Sequence, residues 1–298
     1  MKRPKPNLFV VGAMKCGTTS VYNMLHRTSG VIMCRVKEPN HFCTDLYACP
    51  DFGAWGIPPW ICDEGDYLSL YREGEARWLG EASPNYLYST VAATRIRDFN
   101  AEARIVILLR SPIERAWSEY LMQLRMGKVA ISFTEIVRED FKRVKAGTRM
   151  IHSRYISGGM YAQQVERYLQ QFPARQVFIE VVDRPHVGFH NLRTGLSSFL
   201  GVEVAPLEHA NPGGVPTLPR LNHLLFKAGI KNFISDTFPD SVRSVVKTLY
   251  YRSPGARVMA ESDREFLSHV FRDEVTSLSA MLDVDLSFWQ SDHETKTV

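Results

Sequence analysis

The chain has 298 residues, with 36 Lys+Arg against 32 Asp+Glu, a net charge of +4, and 45% hydrophobic and 23% charged residues. This balance excludes a disordered, collagen-like or coiled-coil chain, and a chain of this length buries roughly three quarters of its unfolded surface without a disulfide or metal staple. The small positive excess does not argue for nucleic acid and suits a small anionic ligand.

Asn7 to Gly12 reads N-L-F-V-V-G, a continuous apolar run that predicts a central parallel strand covered on both faces. Ala13 to Gly17 turns tightly, and Thr18-Thr19-Ser20 opens a helix with Val21, Met24 and Leu25 on one face. Residues 39–75 read as an irregular insert, rich in Pro, Gly and Trp. Strands are predicted at Trp78–Glu81 and, more strongly, at Arg104–Leu109, with Pro112 starting the helix that follows. A helix over Tyr161–Gln171 leads into a strand over Gln176–Val181, then a helix over Leu192–Leu200 stopped by Gly201. Asn211–Pro219 reads as an irregular surface loop. The helical C-terminal part, 219–289, holds predicted helices Arg220–Lys227, Ser241–Tyr250 and Asp263–Leu282. Alternating strands and helices predict an α/β fold, a central parallel sheet flanked by helices, in one domain over 1–298.

The five cysteines (Cys16, Cys34, Cys43, Cys49, Cys62) contain no C-x-x-C pair, and no His cluster completes a zinc pattern, so no metal is expected. The apolar run after Met1-Lys2-Arg3 is too short for a signal peptide, and nothing approaches the roughly 18 apolar residues of a membrane span. The expectation is a soluble cytoplasmic protein with reduced thiols.

The chemistry concentrates at Gly12-Ala13-Met14-Lys15-Cys16-Gly17-Thr18-Thr19-Ser20, between a buried strand and a helix start. Such a turn aims backbone N–H groups and the positive helix end at one point, and Lys15 and the hydroxyls add donors for a phosphate. The plain alternative is a βα turn with an exposed lysine. The pattern departs from G-x-x-x-x-G-K-[ST], because Lys15 precedes the second glycine, and the strand ending Leu109-Arg110 offers no Asp for Mg²⁺. This disfavours a nucleotide-dependent kinase, the rival enzyme reading.

The loop resembles the 5′-phosphosulfate loop of sulfotransferases that use 3′-phosphoadenosine 5′-phosphosulfate (PAPS). A second signature of that family, a strand-ending Arg followed by P-x-x-R-x-x-S, is matched by Arg110-Ser111-Pro112-Ile113-Glu114-Arg115-Ala116-Trp117-Ser118. Further matches to the heparan-sulfate-like and bacterial branch are Lys37-Glu38-Pro39-Asn40-His41-Phe42, Gly80-Glu81-Ala82-Ser83-Pro84-Asn85-Tyr86-Leu87, Gly159-Met160-Tyr161 and Asp285-Leu286-Ser287-Phe288-Trp289. The resemblance implies that Lys15, Cys16, Gly17, Thr18, Thr19 and Ser20 hold the donor, with Lys15 also serving catalysis. It assigns the 3′-phosphate to Arg110 and Ser118, and the role of base to Glu38. It further implies sulfuryl transfer to a carbohydrate or small-molecule hydroxyl, release of 3′-phosphoadenosine 5′-phosphate (PAP), and chemistry that needs no metal; charge and hydropathy separately predict no nucleic acid and no transmembrane segment. The oligomeric state stays open, and a non-catalytic nucleotide-binding module is the alternative from another class.

Two departures matter. Ala82 stands where heparan sulfate enzymes often carry a lysine, and the basic, glycine-rich loop that closes over the 3′-phosphate is not recognisable. Arg220 is the substitute considered for that loop, against an ordinary solvent-facing arginine at a helix start. His41 is the rival base, against a packed loop histidine. Lys37, Tyr86, Tyr155, Tyr161, Trp55 and Trp60 are either site-lining residues or, respectively, a solvated charge, core aromatics and loop packing.

Overall fold

Five parallel strands run in the order β2-β3-β1-β4-β5: β1 Leu8–Gly12, β2 Val31–Met33, β3 Trp78–Ala82, β4 Arg104–Leu109 and β5 Val177–Val181. They belong to a computed structural model that describes residues 5–49, 51, 60–72, 74–183, 188–207, 215–216, 218–227, 251–252 and 258–290. Every residue of β1 and β3 is buried, as the continuous apolar runs require of strands covered on both faces. Because β1 lies between β3 and β4, the turns after all three leave the same edge of the sheet, where open α/β sheets place their ligands. The register of β1 against β4 slips between Val10 and Gly12, an irregularity at the point where the strand gives way to its loop.

The helices in chain order are α1 Thr18–His26, α2 Glu64–Ser69, α3 Asn85–Tyr88, α4 Ala92–Phe99, α5 Pro112–Met126, α6 Phe133–Lys145, α7 Tyr161–Gln171, α8 Gly188–Leu200, α9 Pro219–Lys227 and α10 Glu261–Leu282. Their buried faces and the strands form one apolar cluster running from Leu8 to Trp289. Helix α5 starts as its sequence demands: Ser111 accepts the Glu114 N–H and Pro112 occupies the first turn, where a missing N–H costs nothing.

Three expectations need correction. The insert 39–75 is not wholly irregular, since it holds a 3₁₀ turn at Thr44–Ala48 and helix α2, whose N-terminus Asp63 caps through the Asp66 N–H at 2.9 Å. Within the loop expected at Asn211–Pro219, Val215–Pro216 pair antiparallel with Tyr251–Arg252, a two-residue ladder short enough to admit proline. Helix α9 begins at Pro219 rather than Arg220, proline again serving as a first-turn residue. The helix expected at Ser241–Tyr250, and Trp55, lie outside the described residues.

Glu81, wholly buried on β3, accepts from the hydroxyls of Tyr67 at 2.7 Å, Ser83 at 2.8 Å and Tyr86 at 2.9 Å. Burial opposes its charge more strongly than the three donors favour it, and its carboxyl is pushed up from 4.5 to about 7. The folded state therefore holds a proton that the unfolded chain releases above its own value of 4.5, so Glu81's contribution to stability is full below pH 4.5 and is lost as pH rises to about 7. Relative to Glu81→Gln, the wild type is expected to lose stability over that window with a slope approaching ~1.4 kcal/mol per pH unit. Urea denaturation of both proteins across the window checks this, and parallel pH profiles would disprove it.

Candidate active site

Gly12 ends β1 against helix α3. A Cβ there would meet Leu87 Cβ at 2.5 Å, so only glycine lets the two elements approach this closely. Beyond it the chain turns through Lys15 at φ 70° and Gly17 at φ 89°, both left-handed, before α1 begins. No side chain caps α1 and its first turn holds no acid, so the positive end of the helix faces the loop uncompensated.

Lys15, Gly17, Thr18 and Thr19 line one side of a cavity of about 620 Å³. Ser118 of α5 and Met122, whose Sδ lies 3.5 Å from Lys15 Nζ, continue the wall. Lys37, Glu38, Asn40, Trp60, Asn85, His152 and Arg154 are among the residues of the other walls. Burial, followed by the nearby Arg125 guanidinium, pulls Lys15 below the ordinary lysine value, while Glu119 acts in the opposite direction. Arg110 follows β4 and does not line this cavity, but its Nη1 lies 3.5 Å from the Lys15 carbonyl oxygen.

Glu38 also sits in the left-handed region, at φ 64°, and Asn40 at φ 54°. The segment is held from two sides. The Glu38 N–H donates to the Ala82 carbonyl at 3.2 Å, and Asn40 Nδ2 donates to the Glu38 carbonyl at 2.9 Å. Its carboxylate pairs with Lys37 and keeps 41% of the side chain exposed, so it remains open to a ligand in the cavity. The insert is tied to the opposite wall, because Asp51 accepts the backbone N–H groups of Ile151 and His152 at 2.8 and 2.7 Å.

Not every expected residue arrives here. Cys16 turns inward, wholly buried, with Sγ 3.6 Å from Tyr161 Oη; burial pushes its thiol up, and its N–H donates to the Ala13 carbonyl. Ser20 is in the first turn of α1 and does not line the cavity. Arg220 lines a different cavity, beside Tyr120 and Glu135, because α9 docks on the end of α5 through Asn222 Nδ2 to the Leu124 carbonyl at 2.6 Å. His41 is buried against Tyr67, ring centroids 4.4 Å apart, with Nδ1 2.7 Å from the Ile61 carbonyl, so it is the packed loop histidine. Burial lowers its pKa below the ordinary histidine value. Tyr86, Tyr155 and Tyr161 are core residues, whereas Lys37 and Trp60 line the cavity.

Arg154, Asn85 and Asn40 were not singled out by sequence reasoning. Arg154 is 2% exposed, and its Nη2 donates to Asn85 Oδ1 at 2.5 Å. The two asparagines stand inside quoted motifs, but nothing local marks Arg154, whose burial depends on residues far along the chain. Among the described residues, no group of three or more His, Cys, Asp or Glu is arranged to hold a metal, and no helix is long and apolar enough to cross a membrane.

No protein-family model matches the chain. Individual proteins do. Bifunctional heparan sulfate N-deacetylase/N-sulfotransferase 3 of Homo sapiens is 26% identical over 282 residues, covering 93% of this chain and 30% of the relative. Heparan sulfate glucosamine 3-O-sulfotransferase 3B1 of Homo sapiens is 29% identical over 135 residues, 43% of this chain and 34% of the relative. The chain thus spans about a fifth to a third of the length of the curated relatives it matches. The solved structure of a sulfotransferase from Alicyclobacillus acidocaldarius superimposes with a TM-score of 0.70 at 26% identity, covering 97% of this chain and all of that one.

Proposed function

We propose that this chain, which belongs to the sulfotransferase family, transfers the sulfuryl group of PAPS to the hydroxyl of a carbohydrate or small-molecule acceptor. The observation that carries the reading is that Lys15 and Glu38, from two different loops, line one cavity. Lys15 and the open end of α1 offer positive charge where a donor phosphate would sit, and Glu38 offers a carboxylate across the same space. The acceptor hydroxyl passes its proton to Glu38 and its oxygen attacks sulfur. As that S–O bond forms, the bond from sulfur to the nucleotide phosphate breaks, and Lys15 with the loop amides meets the charge growing on the departing phosphate. Arg110 and Ser118 hold the 3′-phosphate in this reading, the first by a charge-assisted, directional pair.

A screen of hydroxyl acceptors with radiolabelled PAPS tests the proposal, alongside calorimetry of PAP binding without added metal. Absence of PAP binding would sink it, and activity abolished by EDTA would favour the kinase alternative. Two variants separate the roles. Arg110→Ala is expected to weaken PAP binding by roughly 1.5–3 kcal/mol, the worth of a hydrogen-bond set to a charged group. Lys15→Ala is expected to reduce turnover more than PAP affinity, because its charge matters most as the leaving phosphate develops. Equal PAP affinity of wild type and Arg110→Ala would remove Arg110 from the 3′-phosphate.

A further inference from the structure

A buried guanidinium normally has its N–H groups satisfied, since leaving one unpaired in a water-poor place is costly. Arg154 breaks that rule inside the cavity shared by Lys15 and Glu38. Its Nη1 is buried and has no hydrogen-bond partner among the described residues. The other nitrogen, Nη2, is fully engaged: it donates to Asn85 Oδ1 at 2.5 Å and lies 3.1 Å from Met14 Sδ, beside Lys15 in sequence.

The remaining contacts hold the group rigidly. The guanidinium stacks over the Tyr88 ring at 4.8 Å, and the Arg154 carbonyl accepts from Arg115 Nη2 at 3.0 Å. From Nη2 a directed chain of hydrogen bonds runs to the base. Asn85 Nδ2 donates to Asn40 Oδ1 at 3.0 Å, and Asn40 Nδ2 donates to the Glu38 carbonyl at 2.9 Å. The unpaired donor and the segment carrying Glu38 are therefore parts of one positioned unit.

We propose that Arg154 is a catalytic residue, whose Nη1–H holds a non-bridging oxygen of the sulfuryl group in transfer while Nη2, through Asn85 and Asn40, keeps Glu38 in register with it. This rests on the sulfuryl-transfer reading. Arg154 neither gains nor loses a proton. The S–O bond to phosphate breaks, the S–O bond to the acceptor forms, the proton goes to Glu38, and the guanidinium accompanies the sulfuryl oxygens across the gap.

PAP lacks the sulfuryl group, so comparing it with PAPS isolates the contact without knowledge of the acceptor. Calorimetry on wild type and Arg154→Ala should show PAP affinity nearly unchanged and the PAPS-to-PAP affinity ratio reduced by about ten-fold or more. Arg154→Lys keeps the charge but lacks the second nitrogen, so it should show the same loss to a smaller degree and serves if the alanine variant fails to fold. Guanidinium ion added to Arg154→Ala should restore part of the hydrolysis of PAPS to PAP and sulfate, with water as the acceptor, a response that a packing role would not give. A ratio unchanged in both variants, with folding intact, overturns the assignment of Arg154 alone. A wild-type protein that binds neither nucleotide overturns the sulfuryl-transfer reading with it.

Discussion

Glu38→Gln is expected to slow sulfuryl transfer by about 10²–10⁴-fold, the usual contribution of a positioned proton acceptor. An alcohol is a poor nucleophile at neutral pH, and glutamine preserves shape and hydrogen bonding while removing basicity. The backbone geometry should survive, because the contacts that hold it use main-chain atoms: the Glu38 N–H on Ala82 and the Glu38 carbonyl under Asn40. PAP affinity should accordingly stay near that of the wild type. His41→Ala should be far milder, since its ring stacks on Tyr67 away from the cavity. Steady-state rates with PAPS, set beside PAP calorimetry, check both variants. A Glu38→Gln enzyme retaining most of its rate would assign the proton to another group.

What sequence reading recovered follows from how local each signal is. Strands β1 and β4 are continuous apolar runs, and α5 announces itself by Ser111 and Pro112; all three are written in adjacent residues. The loops after these two strands carry Lys15 and Arg110, and of the two Lys15 lines the cavity. Strand β2 escaped because three residues, Val31–Met33, are too few to show a period. Helix α6 was missed although its signal was present: Ser132 and Glu135 form a reciprocal capping box before an amphipathic run. Cys16 shows the opposite failure. Its place in the loop motif suggested a donor contact, yet the left-handed turn at Lys15 sends the thiol into the core against Tyr161. No sequence pattern could reveal Arg154, because its partners Asn85 and Met14 lie 69 and 140 residues away.

The motif arginine at 115 belongs to the fold rather than to the donor, and the largest expected loss of stability follows from this. Arg115 and Glu119, one turn apart on α5, are both wholly buried and pair at 2.6 Å. Arg115 also donates to the Arg154 and Tyr155 carbonyls, and Gln123 donates to the other Glu119 oxygen at 3.2 Å. Glu119 is thus a negative charge shared by three cations, of which Lys15 and Arg154 line the cavity: it acts to raise the pKa of Lys15, Arg115 and Arg154. Glu119→Gln keeps an acceptor for Arg115 but removes that charge, leaving the buried Arg115 without its ion-pair partner. Breaking a buried pair in this way costs about 3–5 kcal/mol, whereas replacing both partners by apolar residues costs much less. Arg115→Met/Glu119→Leu should nevertheless fall short of the wild type, because the carbonyls of Arg154 and Tyr155 lose their shared donor. Urea denaturation of the single and double variants measures both effects. A Glu119→Gln protein within about 1 kcal/mol of the wild type, below the range for a broken buried pair, would show that another group balances these cations.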